Sequence, residues 1–550
     1  MRVGKAGLGL AVSLGLAAGA FATGAIAEDS EHVTWNDDGT VTLKTPAEYE
    51  GEFTIPQEML GGLFGPGEKP FEGEEVTILS LDSGPKGGIS GPIYAFRPMF
   101  EELSGAKINI ALTPISELYT KTFLDLRNGT GEYDAMIVGA FFYGDLIDGN
   151  YMLPVDDWRE SGDFPQWSYD PMPDSLKAIH TWDGEGYGVL NDADGQVLYY
   201  RRDLLNDEDH QAAFAEEFGY EYSVPPASLQ ELKDVAQYFN GKPLGENGEP
   251  ISGAVLHLKV REQGLYHFTT LATSFAMTPG DLTECTGVYW FNPTNMDPLI
   301  DSPGHVKALE YLIELAEFGP DAQISWSLGE AWDYFLRGNA VFNFSYGDVA
   351  PLAQDEDRSN IRGKIGSAVL PASNTYWDMC NEAWVEVDEP RTVGNVTGGS
   401  WHGVVSSLSD NPEAAYSFLS LMAMKPVSKW LATYGWNGVD PGYDYQFLEP
   451  VGEAKVEDYT AAGWDPEDVK LYLDAYHKNF NADVMLPYLR ITGTQEYYDS
   501  LDSNLSAAMA GAKTPEQALA DTAETWRGVT DRLGTDKQLN AYQSAIGWQQ

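Results

Sequence analysis

Several short stretches of this chain set flat rings beside carboxylates just after apolar runs. Phe141, Phe142 and Tyr143 follow Ala135 to Val138, with Asp145 close behind. Tyr346 and Asp348 follow Ala340 to Phe344 in NFSYGD, Trp401 and His402 sit in GGSWHG, and Trp436 and Asn437 sit in YGWNG. A further stretch, GEGYGVLNDADGQVLYYRRDLL, breaks an extended run with Asn191, Asp192, Asp194 and Gly195 and then resumes it. The chemistry these residue types offer is recognition. A ring stacks on the C–H face of a sugar-like molecule, and Asp, Asn or Arg takes its hydroxyls in paired hydrogen bonds. The plainer alternative is that large aromatics fill core and that the acidic break is a surface turn. Recurrence next to Gly and Asp at strand ends favours a site, because ligands of open α/β sheets bind beyond the carboxyl ends of strands.

Covalent chemistry has less support. The chain has no G-x-S-x-G, H-E-x-x-H or G-x-x-x-x-G-K-[ST], and no G-x-G-x-x-G between strand and helix. The Gly-rich loop DSGPKGGISG has the wrong spacing for a nucleotide fingerprint. Its amides precede a helix and can hold a ligand oxygen, which makes Asp82 and Ser83 candidates. His180, His257, His267 and His402 show no metal-ligand spacing. Carboxylates are too abundant for any pair to be singled out as glycosidase-like. The expectation is no catalytic residue, no cofactor and no metal.

The elements that must position these residues alternate. Val76 to Leu81, Ile108 to Ile110 and Ala135 to Val138 read as strands, with helices over Ile93 to Leu103 and Leu118 to Arg127 between them. This is an α/β pattern with a largely parallel sheet. Beyond residue 200 helices dominate. Ser228 to Phe239 opens on Pro226 and Ser228 and keeps Leu229, Leu232, Val235, Ala236 and Phe239 on one face. Further helices are read over His305 to Phe318, Trp332 to Arg337, Pro412 to Met424, Pro426 to Tyr434 and Pro515 to Leu533, with a strand over Ala340 to Phe344.

Location is read from the first 27 residues. Arg2 and Lys5 precede an apolar run that closes on Ala25-Ile26-Ala27, the form of a secretory signal peptide cleaved after Ala27. No lipid-anchor cysteine follows. The chain carries 33 basic and 84 acidic residues, a net charge of −51, and loss of Arg2 and Lys5 makes the mature form −53. Such a surface repels nucleic acid and anionic headgroups and suits a saline medium. Cys285 and Cys380 can pair in an oxidising compartment, although sequence does not show their proximity.

YGVLNDADGQVLYYRRDLL also resembles the Tyr-Gly, apolar, Asp, apolar-Tyr-Tyr-Arg-Asp-Leu signature of extracellular solute-binding proteins of ATP-driven importers, above all the sugar-binding type that includes maltose-binding protein. Pro226 to Leu232, Glu330 to Ala340, Gly363 to Pro371, Gly398-Gly399, and Gly511 with Thr514 to Leu519 resemble further family segments in the same order, so the resemblance covers about residues 75 to 530. It implies an α/β, two-lobed periplasmic-binding-protein fold of type II-like form, with hinge crossings and a central ligand cleft. The implied division is 1–27 signal peptide, 28–74 N-terminal extension, 75–192 plus about 398–482 lobe 1, 193–372 plus about 483–550 lobe 2, and 373–397 crossing or insertion. Asn191 to Gly195 would be the first crossing, a second would fall between 371 and 398, and a third near 480 to 490. Arg490, in Pro487-Tyr488-Leu489-Arg490, joins the candidates because relatives contribute cleft residues there. The extension and the insertion over Tyr376 to Val393 depart from the family pattern.

The implied function is a monomeric periplasmic receptor for a sugar or polyol that delivers it to the permease subunits of an ABC transporter in the inner membrane, without nucleic-acid partners. A receptor for a quaternary ammonium solute, a secreted carbohydrate-active enzyme and a sensory receptor are the alternatives.

Overall fold

The computed structural model describes residues 31–397, 400–436 and 438–548. The signal-peptide reading, Gly398-Gly399 and Asn437 lie outside the described residues. Two mixed sheets organise the chain. The first has five strands in the order Lys107–Thr113, Glu75–Leu81, Ala135–Val138, Trp401–Val405, Val189–Asp192. The second has four, in the order Ser252–Val255, Ala340–Ser345, Val197–Arg201, Ile365–Ala368.

Neither sheet is largely parallel, which corrects the sequence expectation. The opening strands of the first sheet pair in parallel through right-sized helical connections, but Trp401–Val405 enters antiparallel to Ala135–Val138 and to Val189–Asp192. In the second sheet Val197–Arg201 runs antiparallel to both of its neighbours. In each sheet the antiparallel strand is one that comes over from the other half: Trp401–Val405 returns to the first sheet after the second is complete, and Val197–Arg201 enters the second straight from Val189–Asp192.

Local signals account for the elements. Ala135–Val138 is buried at every residue, as a central strand covered on both faces must be. The helix Gly91–Ser104 starts with Pro92 in its first turn and stops at Gly105 in the left-handed region (φ 78°). The helix Leu229–Phe239 is capped by the Ser228 hydroxyl, which accepts from the Glu231 amide at 3.1 Å. Alternate residues of Val197–Arg201 face two different cores. Val197 and Tyr199 pack with the aliphatic interior of the first sheet, whereas Leu198 and Tyr200 pack under the helices of the second.

Three crossings join the halves. Asp192 to Val197 is the first. Val393–Gly394 and Val484–Met485, in the second and third, pair in parallel as a short ribbon. Asn395 stitches the three together. Its carboxamide oxygen accepts from the Gln196 amide at 2.7 Å, its nitrogen donates to the Gln196 carbonyl at 2.9 Å, and its backbone carbonyl accepts from Asn479 Nδ2 at 2.7 Å. Gly195 is needed at this point, since a Cβ there would lie 2.6 Å from Asn479 Nδ2.

The N-terminal extension forms a three-stranded antiparallel sheet, Val33–Trp35, Thr40–Lys44 and Glu52–Pro56. It is fastened to the first half by Phe53, edge-on to Trp430 at 5.6 Å. Residues Thr375–Asp378 and Ala383–Glu386 form a hairpin in the insertion, and a Cys285–Cys380 disulfide ties it to the segment after the helix Leu265–Ala276. The bond closes a loop with a sequence separation of 95. Cys285→Ser is expected to lower the stability of the second half by about 2–4 kcal/mol, read as an earlier urea transition that reducing agent reproduces in the wild type. An unchanged transition in both would show that the hairpin is held by packing alone. Among the described residues no helix is long and apolar enough to cross a membrane.

Candidate functional site

A cavity of about 300 Å³ opens where the two halves and the first crossing meet. The first half supplies Ser83, Ile89 and Trp401, the crossing supplies Asp192 and Asp194, and the second half supplies Trp332, Tyr346, Asp348 and Arg358. Hollows of about 520 and 680 Å³ elsewhere are lined from outer helices and loops and gather no such set of buried carboxylates.

The break in GVLNDADGQV now has a structural cause. Trp401 pairs with Asp192, but His402 pairs with Leu190, so Asn191 is a bulge. The extra residue turns Asn191 towards the carbonyls of Gly88 and Ile89, at 3.4 and 3.3 Å, and leaves Asp192 beside Trp401. The chain then leaves the sheet, and Asp194 lines the same cavity as Trp401.

Asp440, from the loop after the helix Lys425–Tyr434, sits behind these groups. Its amide donates to Asp192 Oδ1 at 2.7 Å, and its two oxygens lie 2.7 Å from the hydroxyls of Tyr472 and Tyr476. Burial, then the charges of Asp194, Asp440 and Asp348, push the Asp192 carboxyl well above the usual range. Burial and Asp440 do the same to Asp194. Burial also raises Asp440, to about 6, against the lowering effect of the two tyrosine hydroxyls. The cavity is therefore lined by the carboxyl groups of Asp192, Asp194 and Asp348, with unusual electrostatics, and by the rings of Trp332, Trp401 and Tyr346.

The structure brings Ser83, Asp192, Asp194, Tyr346, Asp348 and Trp401 to this cavity. Phe141 and Phe142 line a neighbouring cavity of about 210 Å³, and Gln263 borders both. The remaining candidates go elsewhere. Asp82 is exposed and accepts from the Gly84 amide at 3.3 Å. Asp145 accepts from Tyr119 at 2.8 Å and from the Gly493 amide at 3.0 Å, a link between the halves rather than a cleft group. Trp436 packs between Tyr49 and Trp430. Arg490 is buried against the rings of Tyr143 and Trp182 and donates to the carbonyls of Thr181 and Ala545.

His402 is a correction of strand geometry. Neighbours on a strand face opposite sides, so with Trp401 in the cavity His402 points into the core, 4.6 Å from the His180 ring and 5.0 Å from Tyr143. Burial, opposed by the bond to the Leu176 carbonyl and helped by the Arg490 charge, pushes the His180 imidazole down to about 4. A lowered folded value stabilises the protein above the unfolded value near 6.5 and loses that stability as pH falls towards 4. Between pH 7.5 and 5 the wild type should therefore lose about 2 kcal/mol relative to His180→Phe, measured by urea unfolding at each pH. The difference isolates His180 from the buried carboxyls, whose effect runs the other way. An equal pH response in both proteins would contradict the assignment.

Trp332, Gln263, Arg358 and Asp440 were not singled out in the sequence. Trp332 was the most accessible of them, because it follows Glu330-Ala331 in a segment that already resembled a family motif. Asp440 carries no local signal. The i, i+4 spacing of Tyr472 and Tyr476 predicts one helix face but not what it meets.

A family profile described as bacterial extracellular solute-binding protein matches residues 97–441. Among solved structures, a solute-binding protein of Agrobacterium radiobacter in complex with ribitol superposes with a TM-score of 0.63 at 19% identity, over 84% of this chain and 100% of that one. One from Agrobacterium vitis with bound D-mannitol gives 0.60 at 18%, over 84% and 99%. A maltose-bound protein of T. maritima gives 0.59 at 19%, over 83% and 99%. Among curated proteins, an erythritol/L-threitol-binding protein of Mycolicibacterium smegmatis is 28% identical over 88 residues, which is 16% of this chain and 18% of that protein. The structural likeness establishes the two-lobed α/β fold.

Proposed function

Because the chain belongs to the bacterial extracellular solute-binding proteins, we propose that it is the periplasmic receptor of an ABC importer, one that captures a small polyhydroxylated solute between its lobes and delivers it to a membrane permease. The observation that carries this reading is the composition of the interlobe cavity: rings from both halves face carboxylates held on the crossing. Rings cover the C–H face of an alditol or sugar, while Asp192, Asp194 and Asp348 accept from its hydroxyls. At about 300 Å³ the cavity is at the small end of ligand sites, which favours one alditol or monosaccharide over an oligosaccharide. Ribitol, mannitol and erythritol, bound by similar proteins, are the first candidates.

Capture shifts the balance towards the closed arrangement by the contacts that only the closed form makes. The permease reads that form, and its own ATPase supplies the energy. The receptor acts as a monomer without turnover. A quaternary ammonium solute is the second reading, favoured by rings and carboxyl groups lining one cavity.

A thermal-shift screen across alditols, monosaccharides, maltose and betaines tests the proposal. A true ligand raises the melting temperature in proportion to the logarithm of its excess over Kd. A response confined to betaines would favour the second reading. No response to any class, or consumption of the solute, would overturn the receptor assignment.

A further inference from the structure

We propose that Asp192, Asp194 and Asp440 form a binding site for one hard divalent cation, calcium by preference, at the junction of the first crossing with the loop that carries Asp440. The inference goes beyond solute capture and does not depend on which solute is bound.

The first observation is proximity. One oxygen from each of the three carboxyl groups lies within 4.8 Å of the others, and all three residues are buried. Among the described residues none of the three takes part in an ion pair with lysine, arginine or histidine. Arg358, whose charge acts on Asp348, pairs with Asp333 at 3.0 Å. Buried anions need a counter-charge, and here it must be protons or a cation.

The second observation is independent of the acids. Tyr199, on the strand Val197–Arg201, is fully buried, and its hydroxyl has no hydrogen-bond partner. That hydroxyl lies in the field of Asp440, Asp348 and Asp194. A buried hydroxyl close enough to feel three carboxyl groups, yet bonded to none of them, is rare, and a cation with its bound water would supply the missing partner.

The donor set selects the ion. Every available ligand atom is oxygen, with the Gly195 carbonyl near at hand where the Tyr476 hydroxyl meets it at 2.9 Å. No histidine or cysteine joins the group, which disfavours zinc and copper. Carboxylates from separate segments with adjustable geometry suit calcium better than magnesium, which demands a near-ideal octahedron. Bound there, the ion would fix Asp192 and Asp194 in the cavity lining and hold the crossing against the Asp440 loop.

Calorimetric titration of chelator-treated protein with calcium chloride tests this, run in about 0.5 M NaCl so that the acidic surface is screened. One saturable site per chain is expected, with a rise in melting temperature at saturation. Asp440→Asn and Asp194→Asn should each weaken it at least ~10-fold, since affinity follows ligand charge. Both variants are compared without metal by circular dichroism, so loss of folding is read separately from loss of the site. Magnesium, run in parallel, should bind more weakly. Absence of a saturable site in the wild type, or equal affinity in both folded variants, would overturn the proposal and assign the counter-charge to protons.

Discussion

Asn395→Ala is expected to unfold at a much lower urea concentration than the wild type, with a loss of about 3–5 kcal/mol. The carboxamide satisfies both the amide and the carbonyl of Gln196 on the first crossing and accepts from the Thr397 hydroxyl at 2.9 Å on the second. It also donates to the Asn479 side chain at 3.2 Å, on the helix that leads into the third. All these residues are buried, so deletion leaves a backbone donor and a backbone acceptor without partners and without water. Asn395→Asp separates shape from bonding, because it keeps the acceptor and loses the donor. It should fall between the two. A transition within a few tenths of a kcal/mol of the wild type would show that the crossings are not held by this residue.

Trp401→Ala should lower affinity for the solute by about 100-fold, as expected for a central aromatic anchor. Trp401 is 2% exposed, its backbone pairs with Asp192 at the bulge, and it shares the cavity wall with Asp194, so its loss removes a stacking face beside both carboxyl groups. Stability should also fall, by about 3–5 kcal/mol, as for other buried tryptophan truncations. Trp401→Phe is the discriminating companion: it restores a ring without the indole donor and should recover part of the affinity. Calorimetric titration with whichever solute stabilises the wild type provides the number. Unchanged affinity in a folded Trp401→Ala protein would remove the ring from the site.

Much of the first sheet was legible because its signals are local. Ala135–Val138 is an apolar run bounded by Asp134 and Gly139, and its ends coincide with the expectation. The helix Pro515–Leu533, opened by Thr514 and Pro515, also matches, with a capping box in which Thr514 and Gln517 exchange bonds. Strand direction was not legible. The partner that makes the first sheet mixed, Trp401–Val405, lies more than 260 residues beyond the strand Ala135–Val138 that it joins.

The candidate site was read in part for the same reason. Trp401 and His402 share one short motif, but strand alternation allows only one of them to face the cavity. Arg490 is a candidate only through the family resemblance, and its guanidinium is used by the carbonyls of Thr181 and Ala545, both distant in sequence. The Cys285–Cys380 pairing likewise depends on a hairpin folding back on a segment 95 residues earlier.

The most direct test of the account is a crystal structure with the alditol or sugar that most raises the melting temperature. The account predicts that molecule between the halves, one face on Trp401 and its hydroxyls bonded to Asp192 or Asp194 and to Asp348. Density in the outer hollow beside Trp167 and Tyr445 instead, with the interlobe cavity unaltered, would contradict it.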